Sequence, residues 1–271
     1  MAASLVAALF VVPVRWPWRE RAPRGADGLC ALAVGVAYLG AHLALHRFRL
    51  PLPPSEAKHV AALAAVAAGG VAAVLALRRA GGARAGTVVA LTILAAGLVW
   101  VALEPLRAHR WGASESAWRV GSLAAVAALA LAAAADLERR SGRGPLLPSV
   151  CVVTCIGAAL AIGESWGGGA LQAASLAAVP AVAATVGFAR REARPFDGAL
   201  LPWTFCLYGV LLVATVFSGT PTTAALVLLG VPHAARFGGW GSGGIVAGGV
   251  IAVALAGLAF WIARVPAVAY G

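Results

Sequence analysis

The sequence predicts an all-α fold: a polytopic bundle of nine or ten transmembrane helices with no soluble domain. Three observations carry this. The chain is 61% hydrophobic and only 11% charged, with a mean hydropathy of +0.89, whereas soluble domains carry about 25% charged residues. Its apolar runs are continuous and rich in Ala, Leu and Val, and about 20 such residues cross a bilayer as a helix. A transmembrane barrel would instead alternate in segments of about ten residues. Finally, the stretch Leu146–Arg191 holds two apolar runs around the turn Glu164–Gly169, which has no Lys or Arg, while Arg139, Arg140, Arg143, Arg190, Arg191 and Arg194 flank it.

The elements follow in order. Residues 1–18, apolar to Val14 and then bearing Trp16 and Trp18, form a short candidate first span. Their charge order is opposite to that of a secretory signal, so removal is not expected. The span 28–46 follows Asp27, a suitable N-cap. Pro51, Pro53 and Pro54 break the chain before span 57–77, and Gly81-Gly82 separates it from span 85–103. Glu104-Pro105 ends that helix, and a polar segment leads to span 117–135. The hairpin supplies spans 147–163 and 170–189. Spans 199–217 and 221–235 come next; Thr220 suits an N-cap and Pro221 the first helical position. The Gly-rich segment 238–244 precedes the last span, 245–263. Short connections predict antiparallel neighbours in one integral membrane domain.

Basic residues concentrate on the cytoplasmic side of membrane proteins. This places the tip 164–169 outside and the loops 139–143 and 190–194 in the cytoplasm. The net charge is +11, and the Arg residues sit in loops beside headgroups, so the predicted partner is the lipid bilayer, with other membrane subunits as further candidates, rather than nucleic acid. Scarce Lys and Met with abundant Ala, Gly and Arg suggest a GC-rich bacterial genome and hence an inner (cytoplasmic) membrane.

No catalytic signature is present. His42 and His46 lie four apart on one helical face, near the predicted outer end, which also carries His59, His109, Glu56, Glu104, Glu115 and Glu164. Imidazoles so spaced can ligate a metal or haem; an interfacial role is the plainer alternative. Cys151 and Cys155 share a face without redox-motif spacing, which points to packing. Pro180, and Pro232 within Gly230–His233, interrupt apolar helices. Broken helices expose backbone groups that can bind substrate, making Pro180, Pro232, Gln172 and Glu164 candidate pathway residues. Gly-rich 238–244 has no phosphate-loop pattern. Ala67–Gly70, Gly248-Gly249 and Gly257 offer close-packing faces. The sequence by itself favours a non-enzymatic membrane component, a subunit or scaffold of a larger complex. A small-solute transporter or channel is the second reading. A redox protein with haem or metal at His42 and His46 is the third.

Overall fold

In a computed structural model the residues described are 26–46, 56–77, 83–141, 144–189 and 194–264. They form eleven α-helices and one 3-10 helix: α1 (Ala26–Leu45), α2 (Ala57–Leu77), α3 (Ala83–Ala102), α4 (Glu104–His109), α5 (Ala113–Ser141), α6 (Leu146–Gly163), α7 (Gly167–Ser175), α8 (Ala178–Ala189), α9 (Leu200–Phe217), α10 (Thr222–Gly230), the 3-10 helix Val231–Trp240, and α11 (Gly241–Arg264). No strand occurs among the described residues. Eight helices there are long and apolar enough to cross a membrane, counting α7 and α8 as one interrupted helix. The run 1–18 lies outside the described residues.

Helix α9 is the axle of the bundle. Of its residues 83% are buried, against 28% and 22% of an apolar 18-residue stretch of α5 and of α11, and it touches α1, α2, α3, α5, α6, α7 and α10. Its apolar residues run all round, as burial on every side requires. Helices α5 and α11 lie outermost, with Trp118, Leu129, Val246, Val250 and Trp261 exposed. Such a rim suits hydrocarbon rather than water.

Helix α1 packs most extensively on α2, and the reason is legible in its spacing. Gly28, Gly35 and His42 recur every seven residues, which keeps them on one seam. A Cβ on Gly35 would stand 2.8 Å from the Ala65 carbonyl oxygen, and one on Gly69 would stand 3.0 Å from that of Ala31. Absent side chains therefore let the two backbones touch. Gly248 makes a similar approach to Ala234, whereas Gly70, Gly249 and Gly257 face open space.

The expected span 221–235 is not one α-helix. Nine residues of α10 run into the ten-residue 3-10 helix. Thr220 is not the N-cap of α10; Pro221 holds that place. The Thr220 hydroxyl instead meets Ser165 Oγ at 3.2 Å. At the other end Arg236 pairs with Asp136 at 3.1 Å, so this composite returns the chain from one end of the bundle to the other. Asp27 lies in the first turn of α1 rather than ahead of it. There its carboxylate suits the positive end of the helix dipole.

The two ends differ. One holds Glu164, paired with Arg264 at 2.6 Å, together with His42, His46 and His59. The other holds Asp136 with Arg139, Arg140 and Arg236, and Arg194 bound to the Arg139 carbonyl. Glu138 is buried at this arginine end. It accepts the Gly198 N–H at 2.7 Å and faces Arg84 at 3.3 Å. Gly198 needs φ +80°, and a Cβ there would strike the Asp27 backbone, so the turn has one tight geometry that Glu138 ties down. Glu138→Ala removes an ionic acceptor from a buried N–H and is expected to cost about 1.5–3 kcal/mol. Glu138→Gln keeps an acceptor and is expected to cost less. Thermal unfolding of both variants in detergent checks the order.

Candidate functional site

A chain of buried polar side chains starts inside the bundle and ends at the histidine end. Tyr38, His42, His59 and Gln172 are 1%, 0%, 5% and 1% exposed. A polar group buried this deeply destabilises the fold unless it is hydrogen-bonded, and these four satisfy one another. The Tyr38 hydroxyl donates to Gln172 Oε1 at 3.4 Å. Gln172 Nε2 contacts His42 Nδ1. His42 Nε2 lies 2.9 Å from His59 Nδ1, and His59 Nε2 is 3.9 Å from Glu56 Oε1.

The amide fixes the protons along this chain. An amide nitrogen only donates, so Gln172 Nε2–H donates to His42 Nδ1. Neutral His42 then carries its proton on Nε2 and donates to His59 Nδ1. His59 in turn holds its proton on Nε2, toward Glu56. Every donor points from the interior to the histidine end.

Each residue is held by a local feature. Tyr38 and His42 are four residues apart on α1, and His46, four further on, lies just past its last residue with its N–H bonded to the His42 carbonyl. His59 lies in the first turn of α2, and the glycine seam sets the α1–α2 separation. Gln172 sits on α7 just before the helix breaks. Pro180 has no N–H for the Leu176 carbonyl four residues earlier. That carbonyl accepts from Trp203 Nε1–H at 3.3 Å instead. Ala177 N–H turns to the Ala174 carbonyl, and Ser175 Oγ–H donates to the Gln172 carbonyl at 2.7 Å. Substitute hydrogen bonds thus hold the break between α7 and α8, with Gln172 fixed at its edge.

Glu56 also lines a cavity of about 320 Å³ with Lys58, Pro105, Trp166, Phe217 and Ser218. Lys58 Nζ is 2.7 Å from Glu56 Oε2. That hydrogen bond holds the Glu56 carboxyl below the usual carboxylate range, with the Lys58 charge and nearby His59 and His46 adding to it against the opposing effect of burial. His46 closes a triangle of imidazoles, its ring centroid 4.5 Å from His42 and 5.1 Å from His59. Burial lowers the His46 pKa, and the Lys58 charge and His59 lower it further, against the opposing pull of Glu56.

Both shifts make the fold acid-sensitive. A base whose folded pKa is lowered binds more protons unfolded, so stability falls as pH drops below the ordinary 6.5 of His46. Glu56 contributes stability above its ordinary 4.5, and that is lost as pH falls through its lowered folded value. Thermal midpoints in detergent are expected to fall between about pH 7 and 5, and His46→Gln is expected to flatten part of that fall.

A second, smaller cavity of about 10 Å³ lies toward the arginine end, lined in part by Trp203, Thr204, Pro232 and His233. It has room for about one water, and His233 Nδ1 is buried there without a partner.

The predicted pathway residues therefore separate. Gln172 stands at the centre of the buried chain. Pro180 is buried and acts through the break. Pro232 lines the smaller cavity. Glu164 is exposed at the tip and paired with Arg264, outside the chain. His42 and His46 are neighbours, but both His42 nitrogens are engaged, leaving no lone pair for a metal. Among the described residues no group of three or more His, Cys, Asp or Glu has a metal-holding arrangement. Cys151 and Cys155 are buried in the packed core. Tyr38 was not singled out in the sequence, although its spacing of four from His42 places it on the same face. Comparison of this chain with family models, curated proteins and solved structures returns no match.

Proposed function

We propose that this chain is a membrane transporter or channel for a small polar solute. The solute enters from the histidine end through the 320 Å³ cavity. The observation that carries this reading is that cavity, bordered by Glu56 and Lys58, opening beside a buried polar chain that ends on an interrupted helix. A scaffold needs neither a cavity bordered by charged side chains nor an interrupted helix beside a buried polar chain, which is why transport is preferred here to the component reading that composition favours. Broken helices next to cavities are how membrane proteins place polar groups at depth. The two cavities lie along α9: Val213, Phe217 and Ser218 border the larger, and Trp203, Thr204 and Leu207 the smaller. The stretch between them, from Leu207 to Val213, is about 9 Å long. We place the protein in a bacterial inner membrane with the arginine end in the cytoplasm, on the strength of its clustered Arg residues.

Osmotic swelling of proteoliposomes tests the reading without a labelled substrate. The panel is amino acids, monosaccharides, monocarboxylates and small amines. At least one is expected to enter several-fold faster than in protein-free vesicles. Equal rates across the whole panel would sink the proposal.

A further inference from the structure

We propose that the His42–His59 pair is a proton-binding site supplied from the cavity at the histidine end, and that Gln172 passes its protonation state to the interrupted α7–α8 helix by reversing its amide. This deepens the transport reading, adding the ion to which solute passage is linked.

The argument is a count of protons. The pair has four ring nitrogens. When both rings are neutral they hold two protons, one on His42 Nε2 between the rings and one on His59 Nε2 facing Glu56. The inter-ring contact of 2.9 Å holds a single proton. A third proton therefore has only one place left, His42 Nδ1. That nitrogen at present accepts from Gln172 Nε2. Once protonated it turns an N–H toward an N–H, and the contact becomes repulsive. Rotating the carboxamide by half a turn restores it: His42 Nδ1–H donates to Gln172 Oε1, and Gln172 Nε2–H donates to the Tyr38 oxygen, which accepts as readily as it donates. Both states are hydrogen-bonded at Gln172, so the amide has two settings and the proton selects between them.

The charge is also accounted for. The proton comes from water in the cavity that Glu56 lines, and no covalent bond other than N–H forms. The pair gains one positive charge, which the Glu56 carboxylate faces from 3.9 Å. Lys58 and His46 oppose it. From the other packed elements, α7 brings only neutral Gln172, α9 brings the Cys206 thiol beside Tyr38, and α8 brings no titratable group. On α3 the only titratable group is Arg84, at the far end.

The chain is a terminus and not a through route. An amide does not relay protons as an imidazole does, and below Tyr38 the buried face of α1 is Val34, Ala33, Ala31 and Cys30. A proton taken up here stays until it leaves by the same cavity or until the helices move. Gln172 sits within four residues of the break, so its setting is felt where α7 and α8 can change angle.

The experiment exploits composition. Gln172 is the only glutamine in the chain, and the chain has no asparagine. The full-length protein in nanodiscs therefore gives one side-chain carboxamide signal in a nitrogen–proton correlation spectrum. With histidine nitrogens labelled as well, a pH titration is expected to move the Gln172 carboxamide and His42 Nδ1 with the same midpoint. His42→Phe is expected to abolish the Gln172 response, and His46→Phe to leave it. If His42→Phe does not fold, the coincidence of midpoints in the wild type decides alone. A Gln172 signal that stays still while His42 titrates overturns the proposal, as does failure of both to move while the protein remains folded. No solute is needed. Swelling with a silent Gln172 would leave transport standing and remove the proton site; a responsive Gln172 with no swelling would do the reverse.

Discussion

Trp203→Ala is expected to destabilise the protein by about 3–5 kcal/mol, the cost of emptying a fully buried aromatic site. Trp203 is 0% exposed and stands on α9, the helix that most of the bundle packs against. It also serves a second purpose. Its indole N–H holds the Leu176 carbonyl that Pro180 leaves without a donor. Trp203→Phe separates the two contributions, because the ring still fills most of the space while the N–H is lost. The Phe variant is expected to cost about 1–3 kcal/mol, the penalty for a buried acceptor left unmade. Thermal unfolding in one detergent for both variants reads the difference. Equal losses would mean that the indole N–H carries the whole effect, and an undiminished Phe variant would mean that packing alone fixes the break. A further Pro180→Ala change in the Phe background is expected to recover part of the loss, since an N–H at residue 180 can again reach the Leu176 carbonyl.

Gly35→Val is the second large effect. A Cβ at Gly35 already falls 2.8 Å from a backbone oxygen and 3.3 Å from the Val66 Cα. Backbone cannot swing aside as a flexible side chain can, so α1 and α2 must separate. Overpacking of this kind costs about 1–3 kcal/mol. The more telling consequence is remote. His42 lies seven residues from Gly35 on the same seam, about 10 Å along the helix. Separation of the helices there lengthens the His42–His59 contact and parts Gln172 from its chain. The variant is therefore expected to lose the coupled histidine titration even where it still folds. Gly70→Val, which meets open space, is the control and is expected to cost far less.

The sequence carries much of this structure and conceals the rest for physical reasons. The long apolar helices follow from hydropathy and from Gly and Pro, while α5 runs beyond the expected 117–135 to Ala113–Ser141 and the expected helix 170–189 is split into α7 and α8. The composite of α10 and the 3-10 helix follows only in part: Pro232 and the polar His233 and Arg236 mark an interruption after Gly230, but nothing in the sequence specifies that the chain continues from Val231 as a 3-10 helix. The hairpin turn is readable from composition, although α7 already begins at Gly167, and the ion pair of Glu164 with Arg264 joins residues far apart in sequence. His42, His46 and Gln172 stand out as polar residues in apolar runs. Their joining does not, since it depends on how α1, α2 and α7 pack. The heptad of Gly28, Gly35 and His42 was the signal that could have found the α1–α2 seam, and Ala-rich background hid it. Glu138 shows the opposite failure: among three charged neighbours it reads as a solvated helix end, but the 195–199 turn covers it.

The most direct test of the central claim is whether solute passes through the cavity at the histidine end. Ser218→Cys places a thiol on its wall, and the native cysteines Cys30, Cys151, Cys155 and Cys206 are all buried, which keeps background labelling low. The measurement is swelling of proteoliposomes before and after that thiol is capped with a membrane-impermeant maleimide. The account predicts that capping from one side alone brings solute influx down to the rate of protein-free vesicles. Influx unchanged after complete capping would contradict it.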